Sequence, residues 1–225
     1  MENFNYSSIE KIIGYQFKNK KFLQQAFCRS SFANENKLES WKQDGAIKQI
    51  MHFVDQVTDF NCKGYVPKED RIVTFDVDGT AMIERSSDNK ELLVQDKLFE
   101  YIYLNYRNNV PEATEAYNNY ISLRRFFWED ESNSEIKTNY RYSQMNLYGQ
   151  IMKGLTPETV SKYLDDAIKN TKFNEDRKID EIAYKPIKEL YSYLLENDFK
   201  VYFISGSFRF ALYAITSNIF ENVTF

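Results

Sequence analysis

Arg71-Ile72-Val73-Thr74-Phe75-Asp76-Val77-Asp78-Gly79-Thr80 is a short apolar strand that ends in two carboxylates one residue apart, followed at once by Gly-Thr. A carboxylate at the C-terminal end of a buried strand stands where open α/β sheets build their sites. Two of them at spacing i, i+2 can divide the labour, one as nucleophile and one as acid/base. The plain structural alternative is a strand running into an Asp-Gly turn.

Working outward, the next convincing strand is Val201-Tyr202-Phe203-Ile204, about 120 residues on, much farther than a simple crossover. The sequence between is strongly helical. Leu92 to Tyr106 is apolar-rich, Pro111 can open a helix at its first position, and Tyr140 to Met152 is a further candidate. Thr156-Pro157-Glu158 is a good helix start, with Val160, Tyr163, Leu164, Ala167 and Ile168 as one stripe behind it. Residues 86–180 therefore read as an all-helical insertion whose many Tyr and Phe serve as core. Ile187, Leu190, Tyr191, Leu194 and Leu195 mark a helix that ends near Asn197. A helix followed by the strand Val201 to Ile204, with both strands read as buried, implies a parallel βαβ crossover. A further helix begins at about Phe208. Upstream, Trp41 to Thr58 reads as a helix with Ile47, Ile50, Met51 and Val54 on one face, and His52, the only histidine, off it.

Two parallel strands then end side by side, one in Asp76 and Asp78, the other in Ser205-Gly206-Ser207. Asp76 can attack phosphorus and form an aspartyl-phosphate. Asp78 can protonate the leaving oxygen and later deprotonate the attacking water. Mg²⁺ suits such a site, held by a carboxylate and a backbone carbonyl while it keeps several waters. The Ser205 hydroxyl and nearby N–H groups can donate to phosphoryl oxygens.

Asp76-Val77-Asp78-Gly79-Thr80 resembles the first motif of the haloacid dehalogenase (HAD) superfamily of phosphohydrolases, and Val201 to Gly206 resembles its second. Leu38-Glu39-Ser40-Trp41, Asp44-Gly45, Phe53-Val54, Tyr65-Val66-Pro67, Arg71-Ile72 and Glu84 are similar to the acid-phosphatase, phosphoserine-phosphatase and phosphorylcholine-phosphatase branch. The resemblance implies an α/β fold: a partial Rossmann-like core with a parallel sheet, formed by residues 38–85 and 181–225, and a helical cap at 86–180. It implies Asp76 as nucleophile and Asp78 as acid/base. Mg²⁺ would sit on the Asp76 side chain and the Asp78 main-chain carbonyl. Ser205, Gly206 and Thr80 would hold phosphate, and Glu84 would contact a small phosphorylated substrate.

Two departures qualify what the resemblance implies. The family's third motif supplies a Lys and its fourth further carboxylates; of the twenty residues after Ser205, none is Lys or Asp. The expectation is a C-terminally truncated chain with weak metal affinity and low turnover, or one that needs another piece to complete its sheet. The second departure is at the start. Ile12 to Phe17, Leu23 to Phe27 and Ser31 to Glu35 resemble the opening of a ribonuclease III domain, but that family's acidic signature does not follow. Residues 1–37 read as a helical appendage, with short helices from a Ser7-Ser8-Ile9-Glu10 capping box to Gly14 and from Lys20 to Phe27.

Composition limits the alternatives. The formal net charge is −4, so nothing global favours nucleic acid or an anionic membrane. No run approaches a membrane span, and the first eight residues lack the basic start and apolar core of a signal peptide. Cys28 and Cys62 fit a reducing compartment, although one bridge between them stays open. A cytoplasmic location is the expectation.

Overall fold

The computed structural model describes residues 10, 11, 16, 38–42, 45–85, 93–129 and 132–223, with the side chains of 126–129 left aside. The two expected N-terminal helices, Cys28 and nearly all of the ribonuclease III-like stretch lie outside the described residues. The chain is mixed α/β and mostly helical. Among the described residues seven α-helices accompany a two-stranded parallel sheet of β1 (Ile72–Asp76) and β2 (Lys200–Ile204). Two compact units divide it, 1–73 with 185–201 and 74–184 with 202–225, so the division falls inside both strands.

In the first unit, α1 (Ala46–Thr58) buries Ile47, Met51, Val54 and Val57, the three- and four-residue spacing of one helix face. His52 is exposed, off that face as expected. The helix starts later than the sequence suggested. Gly45 takes φ of +63° at its N-cap, and Trp41 is drawn away by a bond from its indole N–H to the Pro186 carbonyl at 2.8 Å. Beside it, Ser40 donates its N–H and hydroxyl to the Glu189 carboxylate at 2.9 and 2.6 Å. The Leu38–Trp41 segment is thereby pinned to α6 (Lys185–Glu196), which buries Leu190, Tyr191, Tyr193 and Leu194. Arg71 is buried and satisfied by carbonyls: Nε donates to Val66 at 2.9 Å and Nη1 to Asn197 at 3.1 Å. Its own carbonyl accepts the Lys200 N–H at 2.8 Å, which aligns the starts of the two strands.

In the second unit, residues 81–83 and 182–184 pair antiparallel. Ile83 N–H donates to the Ile182 carbonyl at 3.0 Å and Tyr184 N–H to that of Ala81 at 3.1 Å. The helical insertion therefore leaves and returns through one paired neck, which is how about 100 residues fit between two ends of a small sheet. Within it lie α2 (Val94–Ile102), a π-helical turn Tyr103–Arg107, α3 (Pro111–Glu129), α4 (Ser134–Met152) and α5 (Pro157–Asn170). Pro111 and Thr156-Pro157 open their helices as the sequence predicts; Thr156 Oγ1 accepts the Thr159 N–H at 3.3 Å. α4 begins six residues before Tyr140 because the Asn133 side chain accepts the N–H groups of Glu135 and Ile136 at 3.0 and 3.2 Å. α7 (Arg209–Ile219) follows β2.

Several of the aromatics are core, with Tyr120, Phe99, Tyr148 and Tyr140 buried, while Tyr142 is exposed. Their hydroxyls converge on acids. Tyr101 and Tyr106 both donate to Asp166, at 2.9 and 2.6 Å, and Tyr117 to Glu100 at 2.7 Å. Donation to Asp166 pushes the Tyr106 phenol up to about 12 and holds the Asp166 carboxyl below its usual range. The deepest acid is Asp96, wholly buried among Tyr148, Gln144 and Tyr140.

One expectation about the strands is corrected. Their continuous apolar character predicts burial. Residues 72, 74 and 76 of β1 and 200, 202 and 204 of β2 are exposed, Ile72 at 57% and Ile204 at 60%. Side chains alternate across a strand. Phe75 and Phe203 share the other face, where Phe203 packs on Phe220, and nothing among the described residues covers this one.

Candidate active site

The turn after β1 is built by its backbone. The Val77 carbonyl accepts from the N–H groups of Thr80, Ala81 and Met82 at 3.3, 3.0 and 3.1 Å, and the Gly79 N–H donates to the Met82 carbonyl at 2.9 Å. Gly79 takes φ of +74°, a conformation that L side chains resist. Val77 and Ala81 are fully buried and hold the turn down, so Asp76, Asp78, Gly79 and Thr80 are left at or near the surface.

Asp76 is exposed, and its Oδ2 accepts the Thr80 hydroxyl at 2.8 Å. Asp78 is half-buried. Its Oδ2 accepts the Ser205 hydroxyl at 2.8 Å and the Ser207 hydroxyl as well. Ser205 Oγ also accepts the Ser207 N–H at 2.9 Å, which closes the loop after β2 on itself. Asp76, Asp78, Thr80 and Ser205, read from stretches over 120 residues apart, therefore meet at one end of the sheet. Gly206 lies exposed in the bend between the two serines, with open space where a Cβ would stand. Glu84 is half-buried and leans over the turn: its Oε2 comes to 4.0 Å from where a Cβ on Gly79 would be.

Two participants were not legible. Ser207 was seen only as part of a Ser-Gly-Ser run, and Gln95 was not singled out. Gln95, on α2, donates from Nε2 to Ser207 Oγ and accepts the Phe208 N–H on Oε1 at 3.3 Å. The Phe208 ring lies edge-on to Phe99, 5.7 Å between centroids, and Phe99 stacks on Tyr148 at 4.0 Å. The loop after β2 is thus tied to α2 by its backbone and by its ring. No local sequence signal marks a glutamine for that role.

The donor set for a cation is small. Among the described residues no group of three or more His, Cys, Asp and Glu side chains stands close enough to hold a metal. One carboxylate and a main-chain carbonyl suit a Mg²⁺ that keeps its waters and arrives with a phosphate, rather than a dedicated protein cage. A groove of about 780 Å³ lies elsewhere in this unit, lined by residues that include Tyr106, Lys162, Asp165, Asp166 and Tyr213 but neither Asp76 nor Asp78. The Cys62 thiol donates to Asp59 Oδ2 at 3.6 Å. No described helix is long and apolar enough to cross a membrane.

Compared with models of known protein families, the chain matches none, and a search of curated proteins returns no match.

Proposed function

We propose that the chain is a phosphomonoester hydrolase of the HAD type, its Rossmann-like core carrying a helical cap at 86–180. The observation that carries this is the meeting of Asp76, Asp78 and Ser205 at the ends of two parallel strands, with a 2.8 Å bond from Ser205 to Asp78. Asp76, exposed beside Thr80, attacks the phosphorus of a small phosphorylated substrate. The ester P–O bond breaks and protonated Asp78 gives its proton to the leaving oxygen, releasing the alcohol. Water then attacks the aspartyl-phosphate and gives its proton to Asp78. The bond from phosphorus to Asp76 breaks, and phosphate leaves. Ser205, Thr80 and the N–H groups beside Gly206 bind the phosphoryl oxygens, and Glu84 faces the substrate from across the turn. Bound Mg²⁺ would supply charge neutralisation on those oxygens, held by the Asp76 side chain and the Asp78 carbonyl.

The test is hydrolysis of p-nitrophenyl phosphate with Mg²⁺ by the purified chain and by Asp76→Asn. Loss of about 10³-fold or more in the variant is expected. A variant that keeps the wild-type rate removes Asp76 from the nucleophile's role.

A second reading has its own observation. Both serine hydroxyls are spent on a single oxygen of Asp78, as in a structural staple between strand ends. On that reading the chain is a non-catalytic relative that binds a partner. Absence of turnover together with a large loss of stability in Asp78→Ala would favour it. A ribonuclease III-like role rests on residues 9–35, nearly all of which lie outside the described residues.

A further inference from the structure

We infer that Gln95 is a positioning residue for Asp78, acting through Ser207. The inference rests on the phosphomonoesterase reading and extends it to a side chain from the cap's first helix. The argument is one of hydrogen counting. The Phe208 N–H can only donate, so the Gln95 atom that meets it must be the carbonyl oxygen. The amide is thereby oriented, and its NH₂ must face Ser207. That NH₂ occupies a lone pair of the Ser207 hydroxyl. Ser207 has a single hydrogen, which is left to point at Asp78 Oδ2. Ser205 is directed the same way, because the Ser207 N–H fills one of its lone pairs and its own hydrogen goes to the same oxygen. One glutamine therefore sets a chain of donors that ends on the acid/base.

Its own position is well determined. The next residue on α2, Asp96, is fully buried and holds Gln144, Tyr140 and Tyr148 of α4. Successive helix residues point about 100° apart, so anchoring Asp96 in the helical hairpin aims Gln95 at the loop after β2. Phe208, whose ring packs on Phe99 and Tyr148, cannot shift without disturbing the same packing.

The test uses the full chain with Gln95→Ala, Gln95→Glu, Ser207→Ala and the double variant Gln95→Ala/Ser207→Ala. Gln95→Glu keeps size and an acceptor for Phe208 but presents no NH₂ to Ser207. With p-nitrophenyl phosphate and Mg²⁺, each single variant should lower kcat by about tenfold with KM within about twofold. The double variant should be no worse than the poorer single one, since both act on one chain. Multiplying effects, or full activity in Gln95→Glu, would overturn the inference. Hydrogen exchange at the Phe208 amide supplies a readout that needs no turnover. Exchange should speed up in Gln95→Ala and stay slow in Gln95→Glu; unchanged exchange in Gln95→Ala overturns the inference whatever the activity. A wild-type chain without hydrolysis, but with that exchange pattern, sinks the phosphatase reading and leaves Gln95 as the residue that orders the loop.

Discussion

The second unit holds two sets of carboxylates in opposite circumstances. Asp96 is wholly buried, with Gln144 Nε2 at 2.8 and 2.9 Å, the Tyr140 hydroxyl at 3.3 Å and the Tyr148 hydroxyl around it. Behind these, Tyr120 hydrogen-bonds Tyr140, and Arg124 lies over the Tyr120 ring at 5.3 Å. Asp76 and Asp78 stand at a sheet end, each with protein hydroxyls on a single oxygen. The first carboxylate is closed by its donors; the second pair is only half closed. A buried polar group must be satisfied by the protein itself, because water cannot do it. An exposed one is free to exchange its partner for a substrate. The two sets are also coupled: the closed one holds α2, and α2 holds the loop that meets the open one.

The largest expected effect comes from emptying the closed site. Asp96→Ala leaves three buried donors without an acceptor, at roughly 1–3 kcal/mol each. A loss of about 3–5 kcal/mol in urea unfolding is expected, and a loss below about 1 kcal/mol would show that the donors find other partners.

An intermediate effect is expected with pH. Burial pushes the Asp96 carboxyl up from its ordinary 3.8, against hydrogen bonds from Tyr148, Gln144 and Tyr140 that pull it down. A folded-state value above the unfolded one means that the folded protein binds the proton more tightly. Stability from this group is then complete below about 3.8 and is lost as pH rises through the folded-state value. The neutral variant Asp96→Asn lacks that titration. Wild type should thus lose stability relative to Asp96→Asn as pH is raised from about 4 to about 8, and a flat difference over that range would remove burial as the dominant influence.

The smallest effect belongs to the open pair. Asp76→Asn should change unfolding free energy by less than about 0.5 kcal/mol, since the residue is exposed and, among the described residues, its side chain is bonded by the Thr80 hydroxyl alone. A strongly destabilised variant would mean that Asp76 is structural and would erase the contrast with Asp96.

Much of the site was legible because it is written in short stretches. An apolar strand followed by Asp-x-Asp-Gly-Thr carries its own turn: Gly79 accepts the left-handed φ, and the Val77 carbonyl gathers the next three N–H groups. The helix starts at Pro111 and Thr156-Pro157 are legible for the same reason, since a cap needs only its neighbours. The start of α4 was missed although Asn133 is a good cap, because no apolar periodicity follows it closely enough to draw attention. Gln95 and Ser207 were missed because neither residue type has a local signature for holding a loop.

By itself, then, the sequence determined the strands, most helix starts, the turn that presents Asp76 and Asp78, and the interval that sets the helical segment between the strands. These depend on backbone preferences and on hydrogen bonds between near neighbours. Tertiary structure alone decided that Asp96 is buried, since its donors stand 44, 48 and 52 residues away. It alone brought Ser205 and Ser207 onto Asp78, across 127 and 129 residues. It also left Ile72 and Ile204 exposed, where their apolar character had pointed inward. Desolvation and long-range hydrogen bonding belong to the packed chain, and composition over a few residues carries no record of which partner will arrive.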